Sequence, residues 1–357
     1  MAYTAIDKPE DHFNIVTYSG NNTNNRSITG LGFQPDFTWI KMRQSQISDH
    51  ALFDSNRGTN KKLASNSTAT EVDPTLYGGV GSFDSDGFTL VNGTTAVLSS
   101  YMFEVNKTSE TYVAWNWKAN GGTTSTNTDG VISSTVQVNS DAGFSILTYT
   151  MGSGNDTVGH GLGVAPDVVI TKARYRGDAN GFWSVYTTVF DGSLDYLKLD
   201  DTSSKANSSL AAPTSTVFTG AGSSTVSYRD FVAYCFAEKQ GYSKFGQYVG
   251  NGSTDGPFVY TGFKPAFVIV KQRNTARAWQ VVDNKRDGYN ELNMPYLQPN
   301  DTAVESSGAG VRIDLVSNGF KVRSSQTGAN QSAGTYFYMA FAENPFVTST
   351  GIPATAR

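Results

Sequence analysis

The side chains that most often carry out chemistry are scarce in this sequence. In 357 residues there are three histidines, His12, His50 and His160, and a single cysteine, Cys235. The histidines are far apart and lack the spacing of a metal site. Cys235 sits inside the apolar run FVAYCF, where a thiol reads as a small buried hydrophobe and not as a nucleophile. No GxSxG, P-loop or HExxH motif occurs. Asp200 and Asp201 are adjacent in a loop, with no reason to converge on a substrate. A glycosidase pair would have to be assembled from distant strands. Asp84-Ser85-Asp86-Gly87 has the look of a calcium-loop start, but its counterpart Ser317-Asn318-Gly319 lacks the carboxylates. Asp-Gly and Asn-Gly both signal a type I′ hairpin, so the turn reading explains both places and the metal reading only one. No catalytic, cofactor-binding or metal-ligating residue is therefore assigned. The expectation is no enzyme activity and no cofactor, with any ligand-binding residues unmarked.

Two groups could bind rather than catalyse. Trp183 and Trp279 share one repeat position, which His50 fills in the first copy. They could stack on sugar rings, but the apolar pair after each (Val185-Tyr186, Val281-Val282) favours burial in the sandwich. Lys41-x-Arg43, Lys172-x-Arg174 and Lys271-x-Arg273 each end a core strand. They read as an anion site or, preferred, as a solvated strand end or an ion pair across a repeat.

These positions are comparable because the chain repeats itself, which is the first thing to look for in any sequence. FNIVTYSG from Phe13, FSILTYTM from Phe144 and FGQYVGNG from Phe245 open three segments. GLGFQPDFTWIKMR, GLGVAPDVVITKAR and YTGFKPAFVIVKQR follow, with Pro35, Pro166 and Pro265 in register. YVAWNW, FVAYCF and YFYMAF close them. LFDSNRG answers VVDNKRDG, SNSTATE answers PNDTAVE, and FDSDGFTL answers LVSNGFKV, while the middle copy has drifted most.

The conserved runs FTWIK, VVITK and FVIVK are β-branched and aromatic and have strand length. Each follows a proline, where the missing donor does no harm to a sheet. The closing runs are apolar throughout, as expected of central strands covered on both faces. Gly is abundant, at 36 residues, and Asn, Ser and Thr fill much of the rest, which suits short strands and tight turns. The fold class expected is all-β, with three tandem antiparallel β-sandwich, jelly-roll-like domains and helix limited to a turn or two. The divisions are an N-terminal arm (1–12), repeat 1 (13–118), a Gly/Ser/Thr-rich linker (119–142), repeat 2 (143–242), repeat 3 (243–344) and a C-terminal tail (345–357). The short second joint predicts close packing of copies two and three. The longer first joint lets copy one sit more independently, unless VISSTVQV adds a strand.

Net charge is −4 and charged residues make up only 16%. No basic tract provides a nucleic-acid footprint, and no apolar run approaches the ~18 residues of a membrane span, so no membrane insertion is expected. One cysteine allows no internal disulfide. MAYTAIDKPEDHF lacks the features of a signal peptide, which points to a protein soluble as made in a reducing cell. Without secretion, the Asn-x-Ser/Thr triplets at Asn25, Asn66, Asn92 and Asn251 carry little weight as glycosylation sites.

Taken together, GLGFQPDFTWIKMR, SFDSDGFTL, YVAWNWKANGG, VAYCFAEKQGYSKFGQYVGNG and the ending YMAFAENPFVTSTGIPATAR give the chain a likeness over essentially its whole length. It resembles the repeat-containing structural proteins, often labelled tail fibre proteins, of marine bacteriophages, including those of cyanobacteria. The resemblance implies a virion component assembled in the host bacterial cytoplasm. Its implied role is a tail fibre or appendage contacting the host surface, or alternatively capsid decoration or a head fibre. A polysaccharide-degrading enzyme is the remaining alternative. The implied partners are other virion proteins of tail or capsid, further copies of the chain (a trimer favoured), and a host surface glycan.

Overall fold

The recurrent β-branched and aromatic runs form strands throughout. The computed structural model describes residues 3–59, 61–73, 76–175, 181–222, 229–286, 290–306 and 310–353. The end of VVDNKRDG and the last four residues of the C-terminal ending lie outside them.

Copy one comprises β1 (Phe13–Ser19), β2 (Arg26–Thr29), β3 (Phe37–Met42), β4 (His50–Asp54), β5 (Leu63–Ala64), β6 (Gly79–Asp84), β7 (Gly87–Val91) and β8 (Thr111–Trp117). They form two antiparallel sheets, β1-β8-β3-β4-β5 and β2-β7-β6. Copy two and the joint before it supply β9 (Ser125–Asn127), β10 (Ser134–Asn139), β11 (Phe144–Met151), β12 (Thr157–Gly159), β13 (Val168–Ala173), β14 (Ser184–Thr187), β15 (Asp195–Lys198), β16 (Ala206–Asn207), β17 (Val217–Thr219) and β18 (Arg229–Phe236). Their sheets are β16-β15-β14-β13-β18-β11-β10-β9 and β12-β17. Copy three has β19 (Ser243–Val249), β20 (Phe258–Tyr260), β21 (Phe263–Gln272), β22 (Gln280–Asp283), β23 (Ile313–Val316), β24 (Gly319–Val322) and β25 (Thr335–Pro345). Its sheets are β19-β25-β21-β22 and β20-β24-β23. Helix among the described residues amounts to Phe103–Asn106, Thr327–Asn330 and a 3-10 turn at Pro9–Asp11. None of it is long and apolar enough to cross a membrane.

The first and last strands of each copy lie side by side, as β1 and β8 do, and β2 lies beside β7, which is jelly-roll pairing. The middle strands depart from a full jelly roll: β4 and β5 continue the large sheet beside β3, and β6 stays beside β7.

Alternation along the closing strands explains why they are apolar on both faces. In β8, Tyr112 and Ala114 face copy one's own sandwich with Phe53 and Phe88, while Val113, Trp115 and Trp117 face the other way. In β18, Phe231, Ala233 and Cys235 face inward, and Val232, Tyr234 and Phe236 face out. In β25, Tyr336, Tyr338 and Ala340 face inward, and Phe337, Met339 and Phe341 face out. The three outward faces meet one another in a single cluster built from all three copies. Each large sheet is therefore packed on both sides: on its own small sheet, and on the large sheets of the other copies.

Several sequence expectations change. Copy one does not sit apart, since its Trp117 packs against Phe236 of copy two and Phe267 and Phe341 of copy three. The span 119–142 is not only a linker, because it contributes β9 and β10, and VISSTVQV does add a strand. It is also anchored to copy one, where the Asp36 carboxylate accepts from the N–H groups of Ala119, Gly121 and Gly122. Phe245 is not the counterpart of Phe13. Phe13, Phe144 and Ser243 stand opposite the equivalent Trp117, Phe236 and Phe341, so Phe245 matches Ile15. Pro265 lies within β21 rather than before it, at a bulge that spares the ladder. The hairpins at Asp84–Gly87 and Val316–Gly319 form, but no central residue of either has positive φ, so neither is type I′.

Because Trp117 touches aromatic rings of all three copies, Trp117→Ala is expected to cost about 3–5 kcal/mol and to lower one shared calorimetric transition. A copy-one transition that moves alone would contradict a common core.

Candidate functional site: three seams around a common core

Each copy grips the next with the same residue positions. The Lys172 ammonium donates to the Thr68 carbonyl of copy one at 3.1 Å, and to Gly181 at 2.7 Å in its own copy. Lys41 reaches Thr302 of copy three at 3.0 Å and Ser48 at 2.7 Å. Lys271 reaches Thr202 of copy two at 3.2 Å and Gln272 at 2.8 Å. All three lysines are fully buried. The backbone repeats the pattern: Glu71 N donates to Arg174 O, Lys205 N to Arg273 O and Glu305 N to Arg43 O, each at 2.8 Å. Copy two thus holds copy one, copy one holds copy three, and copy three holds copy two. A head-to-tail interface that closes after three steps makes a ring with pseudo-threefold symmetry.

The indoles complete each seam. Trp183 Nε1 donates to Ala64 O at 2.8 Å, and Trp279 Nε1 to Lys198 O at 2.7 Å. At the same position in copy one, His50 Nε2 lies 3.1 Å from Gln298 O. His50 Nδ1 accepts from Trp39 Nε1 at 2.9 Å, so the proton sits on Nε2 and the imidazole imitates an indole. Burial holds its pKa well below the ordinary value, and the nearby Lys41 and Arg286 charges lower it further.

Two seams carry an ion network. Arg174 binds Glu71 through two bonds of 3.0 and 3.1 Å, and Arg57 joins the same carboxylate at 3.0 Å. Arg57 also pairs with Asp54, which accepts from the Tyr234 hydroxyl of copy two at 2.6 Å. The second seam matches it: Arg43 with Glu305 at 2.9 and 3.0 Å, Arg286 with Glu305 at 3.0 Å and with Asp283 at 2.8 Å, and Trp115 Nε1 on Asp283 at 3.0 Å. At the third seam Arg273 is kept and every other member has changed. Thr187 stands for the aspartate, Phe190 for the arginine, Lys205 for the glutamate and Met339 for the Trp or Tyr. Arg273 lies over the Phe190 ring at 4.9 Å, and Lys205 pairs with Asp195 at 2.8 Å. The substitutions hang together, since a buried charge without its partner is costly.

The sequence candidates can now be placed. Lys-x-Arg is not a solvated strand end: the lysines are buried, and Arg43 and Arg174 make the ion pairs across a repeat that were the other part of that reading. Trp183 and Trp279 are buried, but between copies rather than inside a sandwich. Asp200 accepts from the Trp183 N–H at 2.7 Å, as Asn300 does from Trp279 and Asn66 from His50. Asp201 closes a local turn to Ser203. The two do not converge. His12 meets Asn139 and the Tyr242 ring, and His160 bonds Thr214 O, so the histidines stay apart. Cys235 is buried, which raises its thiol pKa. No group of three or more potential metal ligands is found among the described residues. Sequence reasoning missed Asp54, Glu71, Asp283 and Glu305. The repeated Asp-x-x-Arg and the aligned Glu were visible, but not their meeting across a seam.

Two cavities bear on function. On the pseudo-threefold axis, Trp39, Trp183, Trp279, Phe37, Phe267 and Phe341 line an apolar space of about 30 Å³, room for about one water with no polar group to hold it. At the edge of the copy one–copy three seam, Ile47, Tyr77, Val97 and Phe103 line a cleft of about 320 Å³ with Asp49 and Glu104. Both carboxylates flank Lys62 Nζ, at 3.8 and 2.5 Å. The two carboxylates thus share one ammonium.

A domain family of unknown function, DUF7483, matches residues 8–345 as one unit. The chain belongs to this family. No curated protein and no solved structure is similar to it. The DUF7483 match runs unbroken across all three copies, as the ring does.

Glu71→Gln is expected to cost about 3 kcal/mol in urea unfolding, because it leaves Arg174 without its carboxylate and the fully buried Arg57 with Asp54 alone. A loss under about 1 kcal/mol would rank the network with exposed salt bridges. Burial lowers Lys41 and Lys271 to about 8 from an ordinary 10.5. Between those values the unfolded chain holds protons that the folded protein has released, so their contribution to stability rises with pH through that window. Cys235 and the buried tyrosines, whose pKa values are raised, oppose it at the upper end. The gain in urea midpoint from pH 7.5 to 9.5 should therefore be smaller in Lys41→Met than in the parent. Parallel curves would refute the buried-ammonium account.

Proposed function

We propose that this chain is a non-enzymatic structural protein of a bacteriophage particle, a tail fibre or appendage component that contacts the host cell surface. The observation that carries the reading is the closed ring, in which one chain supplies three related copies locked around a single axis. A symmetric viral appendage needs a part that fits a threefold platform or displays several binding loops at once. A single chain with pseudo-threefold symmetry does this without finding two partners first. The recurrent side chains (the Lys-x-Arg pairs, the indoles, the aromatic closing strands) all stabilise the ring. That leaves the divergent loops to meet a ligand such as a host glycan. Low charge and abundant Asn, Ser, Thr and Tyr suit adaptable polar contacts there. Further copies of the chain would stack on the ring's ends, since the threefold faces are already buried within it.

The likeness to marine phage tail fibre proteins supports the same reading, and leaves capsid decoration as the alternative. The test is immunogold labelling of particles that carry this gene, using antibodies against the recombinant chain. Gold on the tail appendages is expected, gold on the capsid would make it a decoration protein, and particles without label would sink both.

A further inference from the structure

We propose that the free edge of β1 is a docking site for an extended strand of a partner polypeptide, which would extend the large sheet of copy one. The proposal does not depend on where in a particle the chain resides.

The chain contains its own precedent. In copy two the strand equivalent to β1 is β11, and its outer edge is covered by β10, with Gln137 opposite Ile146 and Thr135 opposite Thr148. The loop after β4 clamps this added strand across the seam. Ser55 Oγ meets Gln137 Nε2 at 3.0 Å, and Asn56 Nδ2 donates both to Thr135 O of the added strand at 3.0 Å and to Ile146 O of β11 at 2.8 Å. One side chain thus ties the guest strand and the host strand together.

The same place at the copy one–copy three seam holds no strand among the described residues. β1 pairs only with β8. His12 and Gly20 bond to the β8 side, to Lys118 and Glu110, so the N–H and C=O groups of Ile15 and Thr17 point outward. They make no backbone bond among the described residues. Beside them is a cleft of about 290 Å³ lined by Phe13, Asn14 and Ile15 from β1 and by Asn284, Lys285 and Glu343 from copy three. Asn284 and Lys285 occupy the positions of Ser55 and Asn56, the two clamp residues. Asn284 Oδ1 is buried with no hydrogen-bond partner, and Lys285 is exposed. Both clamp positions therefore carry polar groups free to hold a strand.

The chain before β1 does not fill the edge itself. It turns away at Pro9–Asp11 and is tied to the joint between β18 and β19, through Thr4 to Gln240 O, and to copy three, through Tyr3 to Gly262 O. Asn14 Oδ1 does cover one outward group, the Ile15 N–H, at 2.9 Å. In copy two this position is Ser145, and the Ile146 amide is left for β10. Asn14 is thus a placeholder that an incoming strand displaces, the usual way to blunt an edge until it is needed. β19 of copy three is a poorer candidate, because its clamp positions are Thr188 and Val189, and its Gln247 is already bonded to Phe190 O. The guest should resemble β10: extended, alternating apolar with small polar residues, with an amide side chain facing Asn284.

The probe is a synthetic peptide of residues 131–140, VISSTVQVNS, added at about 1 mM to the full chain. Hydrogen exchange at the Ile15 and Thr17 amides is expected to slow at least about tenfold. Lys285→Ala should weaken the protection and Asn14→Ser should strengthen it. Thr17→Pro should abolish it while preserving the fold, since that N–H faces away from β8. No slowing in β1, slowing at β19 instead, or equal slowing in all variants would overturn the proposal. So would a concentration-dependent dimer that Thr17→Pro abolishes, which would give the edge to a second copy.

Discussion

Everything in this molecule follows from the outward faces of the three large sheets. Val113, Trp115 and Trp117, with their counterparts in β18 and β25, cannot be covered by the small sheets, which already pack on the opposite side. Left in water, one such face would expose several aromatic side chains, each worth about 1.5–3 kcal/mol on burial. Three faces turned toward one axis cover each other, and no fourth element is needed. Once they meet, the ends of β3, β13 and β21 are carried into the seams, and their lysines go with them. Those ammoniums are kept in place by backbone carbonyls from the neighbouring copy, which satisfy their donors, while burial lowers the pKa of Lys41 and Lys271.

The seams are alike in backbone and differ in side-chain chemistry. Where copies one and three meet, no linker holds them, and the full Asp-Arg-Glu-Arg network is present. Copies one and two are joined by a long segment, and they have it too. Copies two and three are joined through the few residues between β18 and β19, and there the network is replaced by a ring contact and a local Lys205–Asp195 pair. A short tether already keeps two surfaces at high effective concentration, so the seam that most needs directional locks is the one with the longest path between its partners. The distribution of charge follows the connectivity of the chain.

Much of this was legible in the sequence, and the rest was hidden for definite reasons. The repeats, the strand-forming runs after each proline and the two-faced burial of YVAWNW could be read, because each is a local property of composition or spacing. What covered the second face could not, since alternation says that a face is buried but not against what. The burial of Lys41 was hidden for the same reason: at a strand end, a buried and a solvated lysine have identical neighbours in sequence. The slip at Phe245 came from matching a phenylalanine by type, whereas cross-strand partners match Tyr248 with Tyr18 and Tyr149. β10 was foreseen as a possible strand but not as part of a seam, because Gln137 and its clamp residues are some 80 positions apart.

Covalent linkage also explains why the ring departs from symmetry. In a homotrimer, one substitution appears at all three seams at once, so replacing Glu71 by lysine would confront three pairs of arginines with three new cations. In a fused ring the same change enters one seam only. Thr187, Phe190, Lys205, Asp195 and Met339 form a consistent alternative to Asp54, Arg57, Glu71, Lys61 and Tyr234, in which even the Lys61–Glu71 pairing reappears with its charges exchanged as Asp195–Lys205. Partial versions would leave a buried guanidinium or carboxylate without a partner, which is why the five positions differ together. Fusion therefore frees each seam to change independently while the shared aromatic core keeps the three copies in register. The same freedom lets one copy cover its strand edge with β10 while another leaves that edge open.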